Sequence, residues 1–221
     1  MRNARNTFCV LTIAILAVAV AACDNTSTAV VKQSTDPETV PTMTTHDVQT
    51  LISDSGRTRY RITTKLWHVF SEAKVPHWTF PNGVVADELD EKYHHVASLI
   101  CDSAYYNMQS HVWSAIGNVQ LTTRNGDKVK CDRMYYDEHQ HQVNCQNNVR
   151  ITRMRGDKIL TNQLYYDTQK GFYHSASFIH YEGNGRVVEG YGYQFYERDK
   201  HAKIDQVQGI FPINDRSLSH P

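Results

Sequence analysis

Carboxylates, imidazoles and thiols are the side chains of this chain that could do chemistry. Asp102 and Asp132 stand 30 residues apart, and paired carboxylates are what acid–base chemistry would use. The step does not stop there. Asn162 follows after the same interval, as do Ala104, Met134 and Leu164, and Tyr105-Tyr106, Tyr135-Tyr136, Tyr165-Tyr166 and Phe195-Tyr196. A catalytic acid is a singular feature, whereas a carboxylate that recurs with a structural unit points to a turn, edge or ladder role. His139-Gln140-His141 and His94-His95 each offer two imidazoles, short of the three or four ligands a zinc site needs. Gly-x-Ser-x-Gly, His-Glu-x-x-His, a phosphate loop and Cys-x-x-Cys are all missing. The sequence predicts no catalytic residue, no metal site and no cofactor.

The five cysteines divide by position. Arg2 and Arg5 precede an apolar run from Thr7 to Val20, which leads into Val20-Ala21-Ala22-Cys23. This pattern predicts a lipoprotein signal over residues 1–22, with Cys23 acylated after cleavage. The alternative is an uncleaved span, but the run is shorter than the roughly 20 residues a bilayer requires. Each buried acyl methylene adds about 0.8 kcal/mol, so two or more chains on Cys23 would hold the protein at a membrane. Residues 23–50, rich in Ser and Thr with Pro37 and Pro41, are predicted to be a flexible tether of about 30 Å. The pattern near Asp47–Ser53 fits a short helix capped by Thr45 at the tether's C-terminal end. The folded part is expected over residues 51–213, starting near Ser55, with a tail at 214–221.

Cys101, Cys131 and Cys145 remain, in a compartment expected to be oxidising. Cys101 and Cys131 share a repeat position, about 9.5 Å apart across two strands of a meander. That exceeds the disulfide limit of roughly 7 Å between α-carbons. Folding back at the hairpin turns opposes no pair directly either. Three reduced thiols are expected.

The elements that hold these groups are extended. Fixed-period self-similarity means one supersecondary unit stacked on copies of itself. Within the period, segments rich in Val, Ile, Tyr and Thr alternate with Arg124-Asn125-Gly126-Asp127, Arg155-Gly156-Asp157 and Gly183-Asn184-Gly185. Strands joined by such turns are antiparallel hairpins. Single strands are expected at 57–70, 75–87, 99–106, 111–123, 128–137, 142–153, 158–167, 171–181, 186–197 and 202–213. No apolar stripe of helical period runs through this region. The fold class is all-β: an elongated antiparallel jellyroll, or folded sheet, of 30-residue hairpin repeats, open at both ends.

Alternation assigns the faces. Trp113, Val143 and Tyr173 share a column, as do Val119, Val149 and Ile179, and Leu121, Ile151 and Tyr181. Even spacing puts these columns on one side of the sheet, with Gln120, Arg150 and His180 on the other. Gly117-Asn118 and Asn147-Asn148 would let each long strand bend and serve both halves of a folded sheet. The resulting apolar seam is either a filled core, as most apolar stripes are, or a lining. Its mixture of tyrosines and slender aliphatics suits contact with acyl chains and polar groups alike.

Charge narrows the partners. The 23 basic side chains less Arg2 and Arg5, against 23 acidic ones, leave the mature chain near −2. Such a balance carries no electrostatic footprint for nucleic acid.

Several motifs resemble the LptC family of lipopolysaccharide-export components: the lipobox, and Asp54-Ser55-Gly56-Arg57 followed by Tyr60 and Trp67. Trp78-Thr79-Phe80-Pro81-Asn82-Gly83, Asp102-Ser103-Ala104-Tyr105-Tyr106 and Trp113-Ser114-Ala115-Ile116-Gly117-Asn118-Val119 do so too. The resemblance covers about residues 47 to 183, and its β-repeat is shared with LptA-like and LptD-like proteins. Members commonly carry a transmembrane helix where this chain has a lipobox.

The resemblance implies a non-enzymatic carrier on the periplasmic face of the inner membrane. It would accept lipopolysaccharide from an ATP-binding cassette transporter at an N-terminal edge near Arg57–Phe70. It would pass the lipid to an LptA-like bridge at a C-terminal edge near Arg186–Ile213. The groove would be lined by Ala104, Tyr106, Trp113, Val119, Leu121, Met134, Tyr136, Val143, Val149, Ile151, Leu164, Tyr166 and Ile179. A scaffold module with a solid β-core is the alternative, and a sugar-processing lipoprotein enzyme is a distant third.

Overall fold

A computed structural model describes residues 36–54, 57–183, 185–197 and 202–212. The expected signal, acylated Cys23, Ser55-Gly56 and the tail at 214–221 lie outside the described residues. The described chain contains 13 strands, all antiparallel and all in one sheet. They are β1 (Met43–Asp54), β2 (Arg57–Phe70), β3 (His77–Phe80), β4 (Val84–Leu89), β5 (His95–Cys101), β6 (Ser103–Asn107) and β7 (Val112–Thr122). The series continues as β8 (Lys128–Asp137), β9 (Gln142–Thr152), β10 (Lys158–Asp167), β11 (Phe172–Gly183), β12 (Arg186–Tyr196) and β13 (Ala202–Pro212). No helix occurs among the described residues.

Two boundaries differ from expectation. The segment read as tether and short helix is strand β1, paired with β2 from Met43↔Val69 to Asp54↔Arg57. Its threonines are good strand formers beside a partner, and Ile52 packs against the core. A Ser/Thr-rich stretch reads as linker only until an edge is available to pair with it. The single strands expected over 75–87 and 99–106 are also each cut in two. Pro81-Asn82-Gly83 turns the chain, with Gly83 at φ 85, so β3 and β4 pair with different halves of β2. β5 and β6 divide β7 in the same way.

The long strands bend where their ladders slip. Register shifts fall at Ile116/Val119, Lys130/Arg133, Thr161/Gln163 and Ser175/Phe178. Gly117 and Asn118 have φ 79 and 44, and Asn147 and Asn148 have φ 63 and 52. Asn tolerates this left-handed region because its side chain bonds locally. Here the bond is definite: Asn118 Nδ2 donates to Asp102 Oδ2 and Asn148 Nδ2 to Asp132 Oδ2, both at 2.7 Å. A Cβ on Gly117 would lie 2.6 Å from Asp102 Oδ2, so that carboxylate also fills the space a side chain would need. The repeated aspartate is a crease clamp.

Creasing the long strands divides the sheet into two walls. The first holds β3, β6 and residues 112–116, 133–137, 142–146, 163–167, 172–175 and 193–196. The second holds β4, β5 and residues 119–122, 128–131, 149–152, 158–161, 178–183 and 186–191. Rim turns of the first wall repeat as well. Asn107 Oδ1 accepts from the amides of Gln109 and Ser110, Asp137 Oδ1 from His139 and Gln140, and Asp167 Oδ1 from Gln169 and Lys170. These are Asx turns. Backbone bonds then stitch one rim turn to the next, from Glu138 to His111, Thr168 to His141 and Glu197 to Gly171.

Candidate functional site

The inward faces form rows that cross the strands. On the first wall, cross-strand pairing links Val69, Trp78, Tyr106, Trp113, Tyr136, Val143, Tyr166, Tyr173 and Phe195 in unbroken succession. On the second wall it links Ile62, Ala86, Leu99, Leu121, Val129, Ile151, Ile159, Tyr181, Val188 and Ile210. Between them, flanking the crease, lie Ala104, Ala115, Met134, Cys145 and Leu164 on one side and Val119, Cys131, Val149 and Ile179 on the other. The long strands contribute to both walls and the short pairs β3/β4 and β5/β6 one to each, so one apolar seam runs from β2 to β12.

Every groove residue expected from the sequence lies in these rows. Ala104, Val119, Met134, Val149, Ile151, Leu164 and Ile179 are buried in one core, against which Trp113, Leu121 and Val143 pack. Tyr106 stacks on Trp113 with ring centroids 4.3 Å apart, and Tyr166 on Tyr173 at 4.2 Å. Tyr136 stands between Trp113 and Val143 in the ladder. The seam is closed by its own side chains: Ile159 and Ile179 are 0 % exposed, and Val119 and Val149 1 %.

The sequence reading left out Ala115, Val129, Cys131, Cys145, Ile159, Ser175, Tyr193 and Phe195, all inward and buried. The even spacing that selected Val143 and Val149 also selects Cys145. Trp67, Trp78 and Phe80 were missed as seam residues too. They form an aromatic cluster at the β2 end, with Trp67 5.1 Å from Trp78 and Trp78 6.1 Å from Trp113 between centroids.

Polar groups sit at the two lips. Glu138 reaches over the first-wall lip, accepting from Trp113 Nε1 at 2.8 Å and from the Tyr106 hydroxyl at 3.3 Å. Glu197 does the same at the far end, for Tyr173 at 3.1 Å and Tyr166 at 3.4 Å. Burial, reinforced by the Glu197 charge, pushes the Tyr166 phenol up to about 12 and Tyr173 well above its usual value. Burial, then the Glu138 charge, raises Tyr106.

On the opposite lip, Arg153 is 9 % exposed and crosses the seam. Its NH2 donates to Tyr193 Oη at 2.9 Å, and its guanidinium lies 3.8 Å from the Phe195 ring centroid. Beside it, Asp157 pairs with Arg155 at 3.0 Å.

The imidazole clusters do not gather. His94 turns to Asp90 at 3.1 Å, and His95 to Asp87 at 3.4 Å. His139 stacks edge-on against His111 at 4.8 Å. Among the described residues no three His, Cys, Asp or Glu side chains are placed to hold a metal ion. The arrangement offers an apolar interior with hydroxyls and charges at its lips, suited to an amphipathic guest or to a packed core.

Residues 86–193 match the family model described as OstA-like protein. The match begins in β4 and ends in β12, containing the repeated pairs Tyr105-Tyr106, Tyr135-Tyr136 and Tyr165-Tyr166 and stopping short of Phe195-Tyr196. No curated protein matches the chain.

Proposed function

We propose that this chain is a lipopolysaccharide carrier of the LptC kind. Cys23 tethers it to the periplasmic face of the inner membrane. It accepts lipid from an ATP-binding cassette transporter at the β1–β2 end and delivers it to an LptA-like bridge at the β12–β13 end. One observation carries the reading: a single apolar seam, built from equivalent tiers, runs the length of a segment that matches an OstA-like family. Acyl chains would move between linings of like character, so each step is close to level. Burying five further methylenes would add about 4 kcal/mol of holding energy. The energy for direction would come from hydrolysis in the transporter, and no bond is made or broken in this domain.

The ends support assembly by strand addition. Among the described residues β1 pairs with β2 alone and β13 with β12 alone, which gives each an outer edge. Val207, Ile210 and Phe211 on β13 are half exposed.

A second reading has its own observation. The seam residues are packed on one another, as in an envelope scaffold with a solid core. For the carrier, the walls must part to admit a chain. Photo-crosslinking in cells from Val119 and Val149, with Gln120 as an outward control, separates the two. Crosslinks to lipopolysaccharide from the inner positions alone support the carrier. Their absence beside working crosslinks to protein at the same positions leaves the scaffold.

A further inference from the structure

Cys131 and Cys145 lie on neighbouring strands, β8 and β9, and both are 4 % exposed inside the seam. Cys131 belongs to the second-wall half of β8, opposite Val119. Cys145 belongs to the first-wall half of β9, opposite Met134. In a flat ladder these positions would be distant diagonal neighbours. The register shift between Lys130 and Arg133 and the left-handed Asn147-Asn148 pair fold the sheet between them. Side chains on the inside of a crease converge. Each thiol perturbs the other, so the two sulfurs are near neighbours, and both are free.

The repeat makes this pairing specific. Corresponding positions hold Cys101 and Ala115 one tier earlier, and Thr161 and Ser175 one tier later. Only the middle tier carries two sulfurs. The structure holds Cys101, Cys131 and Cys145 as free thiols, as the sequence reading expects; spacing along a flat meander does not show that two of them face one crease.

We propose that Cys131 and Cys145 form a disulfide that staples the two walls across the crease. The oxidant is a disulfide of the glutathione class or the active disulfide of a thiol oxidase. One of the two cysteines, as its thiolate, attacks one oxidant sulfur, giving a mixed disulfide and releasing one thiolate, which takes up a proton. The other gives up its proton and attacks the first protein sulfur, expelling the second thiolate. Two protein thiols become one disulfide, and one oxidant disulfide becomes two thiols. Neither sulfur is reachable in the closed seam, so the bond forms as the walls come together in folding. The proposal stands apart from lipid transport.

The test is refolding of the full chain. Reduced protein in urea is diluted into a glutathione redox buffer, quenched by alkylation and mapped with trypsin. A parallel sample is held in urea at the same glutathione ratio. The expected product links fragment 131–133 to fragment 134–150, enriched at least about tenfold over the urea sample because only the fold aligns the sulfurs. Cys101, in fragment 93–124, stays open to alkylation. A linkage to Cys101, or no enrichment over urea, overturns the proposal. Cys145→Ala, which copies Ala115, gives the second readout. Reductant should lower the melting temperature of the oxidised wild type and leave this variant unmoved; equal responses overturn the staple.

Discussion

The side-chain amide of Asn148 donates to Asp132 Oδ2 at 2.7 Å, and Asn118 makes the same bond to Asp102 one repeat earlier. This pair gives the recurring aspartate a structural role. The bond holds a residue at φ 52, where the strand turns from one wall to the other. Inward side chains on both sides of the turn then face one seam.

Backbone and bond can be separated at this clamp. Asn148→Gly keeps the left-handed conformation and loses only the bond, costing about 1 kcal/mol. Asn148→Val loses the bond and adds about 1–2 kcal/mol of backbone strain. Asp132→Ala should match the glycine variant and be non-additive with it in a double-mutant cycle. Urea unfolding reads all five proteins, the wild type and the double mutant included. A valine variant as stable as the glycine one would mean the crease is not set here.

The seam also predicts a sharp contrast in stability. Ile159 is fully buried and Met154 is 74 % exposed. Ile159→Ala should cost roughly 2–5 kcal/mol, whereas Met154→Ala should stay within about 0.5 kcal/mol. Thermal melts of both decide it. Tolerance of the first substitution would mean the tiers do not share a core.

Period-two alternation and the 30-residue step were enough to place Val119, Val149 and Ile179 on one face and to foresee bends at Gly117-Asn118 and Asn147-Asn148. Pairing partners that are remote in sequence were not visible. Thr44 and Thr45 read as linker because β2, which they pair with, lies beyond a turn. Arg153 reads only as the last residue of the strand expected over 142–153, since nothing local says that Tyr193 lies across the seam. Cys131 and Cys145 looked separated because distance along a ladder is not distance across a fold. Glu138 and Glu197 stand 59 positions apart in a chain of period 30, so their shared role at the lip escaped column matching.

Buried tyrosines should give the fold an alkaline limit. Tyr166 and Tyr193 are each pushed up to about 12, both chiefly by burial. The unfolded chain releases these protons near pH 10, so between about 10 and 12 it binds fewer protons than the folded one. Stability therefore falls as pH rises through that window. Tyr166→Phe should flatten the fall, as read by urea midpoints against pH. An equally steep fall in the variant would assign the limit to other groups.

His180 acts in the opposite range. Nδ1 lies 2.8 Å from Glu189 and Nε2 3.2 Å from Glu182, and the Glu189 bond leads the causes that raise the imidazole above 6.5. Its contribution is fully present below the unfolded pKa and is lost as pH rises through the raised folded value. His180→Gln should remove this acid-side gain while leaving stability at pH 8 nearly unchanged. NMR titration of the ring checks the direction. A ring that titrates at or below 6.5 would count against the pairing.

Arg153 offers the most direct test of whether the seam can open. Its guanidinium bonds the Tyr193 hydroxyl and covers the Phe195 ring, so one second-wall side chain latches two first-wall residues. Arg153→Met keeps most of the apolar stem but leaves a buried hydroxyl short of a partner, costing about 1–3 kcal/mol, with the lost cation–π contact adding to it. Lysine restores charge without the planar fork, so Arg153→Lys should fall between. Amide hydrogen exchange at residues 191–196 should quicken in the order wild type, lysine, methionine. If the carrier reading holds, loosening the latch should also raise the yield of lipid crosslinks from Val149. Exchange that accelerates without any change in crosslinking would separate wall opening from lipid entry, and unchanged exchange would show that Arg153 latches nothing.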